Sequence, residues 1–249
     1  MVEKFVEFDG LRLWSVAEGA GPPLVLCHGG PGCCDYLAPV AALLTDRAQV
    51  IRYEQRGCGR STAPPPYTVA TSLADLDCVR QYYGLSQWIV AGHSWGADLA
   101  LLYALTYPAR TLGVICLAGG RLNNDREWHA AYSQRRDAGL EPVLDYAYPP
   151  NLEVNAQVNR SMKTYIQRPT LLRDVAELTM PALFIYGAED IRPSWPVEQV
   201  AHLLPGARFV LLPAANHYLW QTHAPDLQRL MASFIAEVTR GVSPNPQPP

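Results

Sequence analysis

Nowhere among the 249 residues is there an apolar run of the about 18–20 residues that a bilayer-spanning helix requires. The first ten residues, MVEKFVEFDG, carry Glu3, Lys4 and Glu7 where a secretory signal needs an unbroken apolar stretch. Neither sign of charge is in marked excess. Twenty Lys and Arg stand against 23 Asp and Glu, a formal net charge of -3, and the basic residues are scattered. That distribution lacks the basic footprint of a nucleic-acid binder. Paired metal-ligand spacing is also missing from the six cysteines, and Cys33 and Cys34 are adjacent, which suits neither a zinc knuckle nor an ordinary disulfide. Cys27, Cys78 and Cys116 fall in apolar runs and are expected as small core residues. The expectation is a soluble, cytoplasmic chain with free thiols, no membrane or nucleic-acid partner, and no internal repeats.

What the chain does have is core-forming material, 49% hydrophobic residues against 17% charged, enough for one packed core. Short apolar runs alternate with helical patterns, the signature of strands joined by helical crossovers into a mostly parallel sheet. Segments 5–8 and 11–16 flank Asp9-Gly10, a hairpin turn signal. Buried strands are expected at 23–27, 50–53, 88–91, 114–118, 182–186 and 209–212, with helices at about 72–83, 97–107 and 225–238. The alternation breaks between 119 and 180, a stretch rich in Arg, Asp, Asn and Tyr. It reads as an inserted, mainly helical cap, giving a core of 1–118 and 181–240, a cap of 119–180, and a Pro-rich tail of 241–249.

Gly92-His93-Ser94-Trp95-Gly96 follows one expected strand and precedes a helix. In such a nucleophile elbow the turn is so tight that side chains two residues either side of the serine collide, hence glycine at both places. The turn lifts the hydroxyl off the sheet at a helix N-terminus, where backbone dipoles favour developing negative charge. His28-Gly29-Gly30-Pro31-Gly32 directly follows the strand PLVLC. Such a loop can offer backbone N–H groups to an oxyanion. The assigned donors are those of Gly30 and Trp95, with His28 read as organising the loop. The serine then needs a base and the base a carboxylate, in the chain order Ser, acid, His. Asp190 lies just past the strand ending at Tyr186 and is preferred to neighbouring Glu189. His217 follows the strand ending at Leu212 and is preferred to His223, which reads as a cap for the last helix. The expected triad is Ser94, Asp190 and His217, and two-step acyl transfer on it needs no metal or organic cofactor.

HGGPG at 28–32, EQRGCGRS at 54–61 and GHSWG at 92–96 together resemble the proline iminopeptidase branch of the α/β hydrolases, which typically shows HGGPG, DQRGxGRS and GGSWG. The likeness covers about 2–118 and resumes from 181 to the final helix. It implies an α/β-hydrolase fold with a helical cap, the triad Ser94, Asp190 and His217, and oxyanion donors Gly30 and Trp95. Glu54 stands where the family has aspartate, His93 where it has glycine, and the cap is short. Family members use acidic cap residues to bind the substrate's free amine. Glu127, Glu141 and Glu153 are available for that task, yet none lies in a recognisable cap motif. Two substrate readings stay open, removal of an N-terminal residue from a short peptide and hydrolysis of a small ester or lactone. A lyase, for which Lys163 is the one cap lysine, and a non-catalytic member of the fold are lesser alternatives. Cys33 and Cys34 adjoin the oxyanion loop, either lining the pocket or filling a turn. Oligomeric state is not legible.

Overall fold

The structure, a computed structural model, describes residues 3–8 and 10–240. Asp9 of the hairpin signal and the expected tail at 241–249 lie outside the described residues. Eight strands form one sheet: β1 (Glu3–Phe8), β2 (Leu11–Glu18), β3 (Pro23–Cys27), β4 (Gln49–Tyr53), β5 (Trp88–His93), β6 (Thr111–Leu117), β7 (Ala182–Gly187) and β8 (Ala207–Leu212). Their order is β1-β2-β4-β3-β5-β6-β7-β8. The β1–β2 and β2–β4 pairs are antiparallel, and every other pair is parallel. Phe8 pairs with Leu11, and Gly10 has φ +78°, as a two-residue hairpin loop requires.

Eight α-helices accompany the sheet among the described residues: α1 (Ala38–Ala42), α2 (Val69–Tyr82), α3 (Trp95–Thr106), α4 (Arg126–Asp137), α5 (Leu152–Tyr165), α6 (Leu171–Ala176), α7 (Trp195–Leu203) and α8 (Trp220–Val238). None is long and apolar enough to cross a membrane. Successive strand residues point to opposite faces, and both faces are covered. Leu24, Leu26, Ile89, Ala91, Leu183 and Ile185 pack with α1 and α8. Val25, Cys27, Val90, Phe184 and Tyr186 pack with α2, α3 and α7. A parallel sheet covered on both faces explains why these strands read as continuous apolar runs.

Helix boundaries depart from the sequence expectation where local chemistry overrides hydrophobic spacing. Helix α2 starts at Val69 rather than Ser72, because Thr68 accepts the Thr71 N–H at 3.1 Å while Thr71 Oγ1 accepts the Thr68 N–H at 2.9 Å. This is a reciprocal capping box with threonine at its third position. Helix α8 starts a turn early, at Trp220, and breaks at His223 (φ -126°, ψ 32°), just ahead of Pro225. Proline lacks the N–H and crowds the carbonyl four residues back, which accounts for the kink. His223 therefore sits at the break, its Nδ1 2.8 Å from Thr222 Oγ1.

Between β6 and β7 the chain forms α4, α5 and α6 and no strand. Asn151 caps α5 by accepting the N–H groups of Glu153 and Val154. The same helix end is tied to the loop after β3, where Asn151 N–H donates to the Gly32 carbonyl and Asn155 Nδ2 to the Pro31 carbonyl, both at 2.8 Å.

Candidate active site

Ser94 stands between β5 and α3 with φ 56° and ψ -123°, a left-handed conformation that side chains other than glycine seldom adopt. The neighbouring glycines are demanded by contact. A Cβ on Gly92 would lie 2.0 Å from the Gly96 carbonyl oxygen, and one on Gly96 would lie 1.9 Å from that of Cys27. Helix α3 begins at Trp95 rather than at Ala97. The Trp95 N–H is therefore at the first helical position, where no partner exists within the helix.

Asp190 and His217 come together from the ends of β7 and β8. His217 Nδ1 is 2.6 Å from Asp190 Oδ2, and both side chains are buried. Asp190 Oδ1 accepts the Arg192 N–H at 2.9 Å, which fixes the carboxylate plane. Glu189 is exposed instead. Burial lowers the pKa of His217, with the Asp190 charge acting in opposition. The imidazole is thus neutral near pH 7, the form that can accept a proton.

The three sequence motifs converge on one hydrogen-bonded unit. Gln55 N–H donates to His28 Nε2 at 3.0 Å, and Gln55 Nε2 donates to the His28 carbonyl at 2.7 Å. The Trp95 indole N–H donates to Gln55 Oε1 at 2.9 Å. His28, wholly buried, organises its loop as expected. Glu54 is also wholly buried and paired with Arg60 at 2.8 Å, and it accepts the N–H groups of Asp35 and Arg60. A Cβ on Gly59 would strike its carboxyl group.

His93 joins this unit to the His217 loop. The Gly29 N–H donates to the Tyr36 hydroxyl at 2.8 Å, so that hydroxyl gives its own hydrogen to His93 Nδ1 at 2.7 Å. His93 Nε2 then carries the ring proton and donates it to the His217 carbonyl at 2.9 Å. No other tautomer satisfies all three contacts, because a carbonyl can only accept. Burial holds the His93 pKa well below the usual imidazole value, and the nearby His217 acts in the same direction.

A cavity of about 160 Å³ opens on Ser94, Gly30 and Trp95. Its wall holds Asp98, Arg121 and Arg192, which sequence reasoning passed over because no spacing rule marks them. Of the three glutamates expected in a cap, none lines it. Glu127 and Glu153 are exposed, and Glu141 is paired with Arg192. Lys163 is exposed and does not line it. Cys33 and Cys34 are buried free thiols outside the lining, while Cys78 is only half-buried, less so than its apolar run implied.

A family model described as alpha/beta hydrolase fold matches residues 22–138. A solved proline iminopeptidase from Mycobacterium smegmatis superposes with a TM-score of 0.73 at 20% identity, covering 97% of this chain and 100% of that one. An E-2-(acetamidomethylene)succinate hydrolase gives a TM-score of 0.76 at 20% identity over 94% and 99% of the two chains. The chain has the α/β-hydrolase fold. In sequence it is 40% identical over 107 residues to a proline iminopeptidase of Saccharolobus solfataricus, covering 41% of this chain and 34% of that protein. A proline iminopeptidase of Neisseria meningitidis serogroup A is 36% identical over 107 residues, 38% of this chain and 32% of its own length. The matched stretch thus spans about a third of these curated relatives.

Proposed function

We propose that this chain is a serine hydrolase that cleaves a carboxylic ester or amide through an acyl-enzyme on Ser94. The observation that carries this reading is the buried His217–Asp190 pair at 2.6 Å, hydrogen-bonded through the His217 carbonyl to the residue before Ser94. His217 Nε2 takes the Ser94 proton as Oγ attacks the substrate carbonyl. Asp190 holds the Nδ1 proton and stabilises the imidazolium. The N–H groups of Gly30 and Trp95 receive the oxyanion. The leaving group departs with the proton from His217, and water then releases the acyl product by the same steps. Residues 119–180 act as a cap over this site, on a core of 1–118 and 181–240. Six free thiols support a reducing, cytoplasmic setting.

The sequence relatives support a proline iminopeptidase-like activity, release of an N-terminal residue from a short peptide. A second reading, hydrolysis of a small ester or lactone, is favoured by the cavity wall, where none of the three cap glutamates is placed to receive an amine. Rates on proline and alanine arylamides, compared with short-chain aryl esters, separate the two. Arylamide turnover supports the peptidase, and ester turnover without it rejects the peptidase.

A further inference from the structure

The acyl-transfer mechanism leaves one wall of the Ser94 cavity unused. The chain leaving β6 wraps the first turn of α3 so closely that a Cβ on Gly119 would stand 2.3 Å from the Ser94 carbonyl oxygen. Asp98, one turn into α3, accepts the N–H groups of Gly120 and Arg121 on Oδ1 at 2.8 and 3.0 Å. That contact pins the backbone of Arg121 beside Ser94. The Arg121 guanidinium lies 3.7 Å from the centre of the Trp128 ring, and Trp128 is itself buried, its indole N–H donating to the Pro193 carbonyl at 3.0 Å. One Arg121 N–H donates to the Asn123 carbonyl at 3.2 Å. No carboxylate forms an ion pair with it among the described residues, so most of its five donors remain for a ligand.

The other charged side chains of the wall already face an opposite charge. Arg192 is paired with Glu141 and lies 3.6 Å from Asp190, though its buried Nη1 makes no hydrogen bond. Asp98 is the one carboxylate in the lining, and it holds the Arg121 backbone. We propose that the substrate carries a carboxylate, received by Arg121 while its scissile carbonyl lies at Ser94. A held, planar guanidinium that no carboxylate touches, with the Asp98 and Asp125 charges acting on it only from farther away, matches a carboxylate in shape and charge. A dianionic phosphate fits less well, because one guanidinium cannot balance two charges and the Asp98 carboxylate on the same wall opposes the second charge more strongly than a single one.

This inference rests on the acyl-transfer reading. The carboxylate belongs either to the acyl part or to the leaving part, and paired substrates distinguish them. The purified chain is assayed on the nitrophenyl hemiester of glutarate against nitrophenyl pentanoate, and on the dipeptide Pro-Gly against its C-terminal amide. In one pair the carboxylated member has a kcat/KM about tenfold higher or more, the size of a charge-assisted hydrogen bond. That ratio falls towards one in Arg121→Gln, is partly kept in Arg121→Lys, and shrinks with rising salt. Ratios near one in both pairs, while an organophosphonate still labels Ser94, overturn the carboxylate site and leave the hydrolase standing. A carboxylate preference that survives Arg121→Gln overturns the assignment to Arg121. Absence of both labelling and turnover overturns the hydrolase reading, and this inference with it.

Discussion

Replacing His93 by Phe keeps a ring of similar size between the elbow and the His217 loop but removes both nitrogens. The wild-type ring is wholly buried, accepts from Tyr36 at 2.7 Å and donates to the His217 carbonyl at 2.9 Å. The variant leaves the Tyr36 hydroxyl hydrogen and the His217 carbonyl without these partners. A buried polar group so stranded costs about 1–3 kcal/mol, so the two together cost about 2–6 kcal/mol. Under the proposed mechanism, part of that loss is functional. The His217 backbone loses its tie to the residue beside Ser94, and small displacements of a catalytic group cost about a hundredfold in rate. The assays are urea unfolding at pH 7.5 and kcat on an aryl ester. Expected are a lower unfolding midpoint, a kcat reduced at least tenfold and a smaller change in KM. A variant within about 0.5 kcal/mol of wild type, with kcat unchanged, refutes the reasoning, since surface substitutions alone have effects of that size.

Three further outcomes follow from the same geometry. Burial lowers the pKa of His28, His93 and His217. Below about pH 6.5 the unfolded chain therefore binds more protons than the folded one, and stability falls as pH falls, by at most about 1.4 kcal/mol per pH unit for each histidine. Asp98, which burial raises to about 6, opposes this at the acid end because the folded state takes its proton first. Urea midpoints should still drop between pH 7 and pH 5.5, and a flat or rising profile contradicts the account. Gly96→Ala places a Cβ against the backbone of β3, 1.9 Å from the Cys27 oxygen, and overpacking of this kind costs about 3 kcal/mol or more. A loss below about 1 kcal/mol in urea unfolding shows that the elbow yields. Asp190→Asn should lower kcat by about four orders of magnitude with the fold retained by circular dichroism, through the wrong His217 tautomer. A loss under tenfold removes Asp190 from its role.

The strand positions and the elbow were legible because they rest on local rules. Apolar runs such as PLVLC mark strands buried on both faces, and the glycines at 92 and 96 have no sterically acceptable substitute. The Asp190–His217 pairing was legible from their positions just past β7 and β8. Harder to read were residues whose roles depend on contacts across the sheet. Tyr36 and Gln55 each bridge two motifs, yet neither carries a sequence signal for doing so. His93 was visible only as a departure from glycine, and its hydrogen bonds explain what the departure supplies. The cavity wall was least legible. Arg121 and Arg192 belong to segments without periodicity; Arg121 is placed by the packing of Gly119 on the elbow and of its own guanidinium on Trp128, and Arg192 by Glu141, Asp190 and the Tyr132 ring. Glu127, Glu141 and Glu153 show the converse. Composition made all three available, but pairing with Arg192 or exposure to solvent keeps them out of the lining.

The central claim is that Ser94 forms the acyl-enzyme, and covalent labelling tests it most directly. Intact-mass analysis after treatment with a fluorophosphonate should show one adduct per chain, mapped by peptide sequencing to Ser94. Ser94→Ala should take up no label and lose aryl-ester turnover while unfolding at a urea midpoint near that of wild type. Labelling at another residue, or ester turnover by Ser94→Ala at the wild-type rate, contradicts the account.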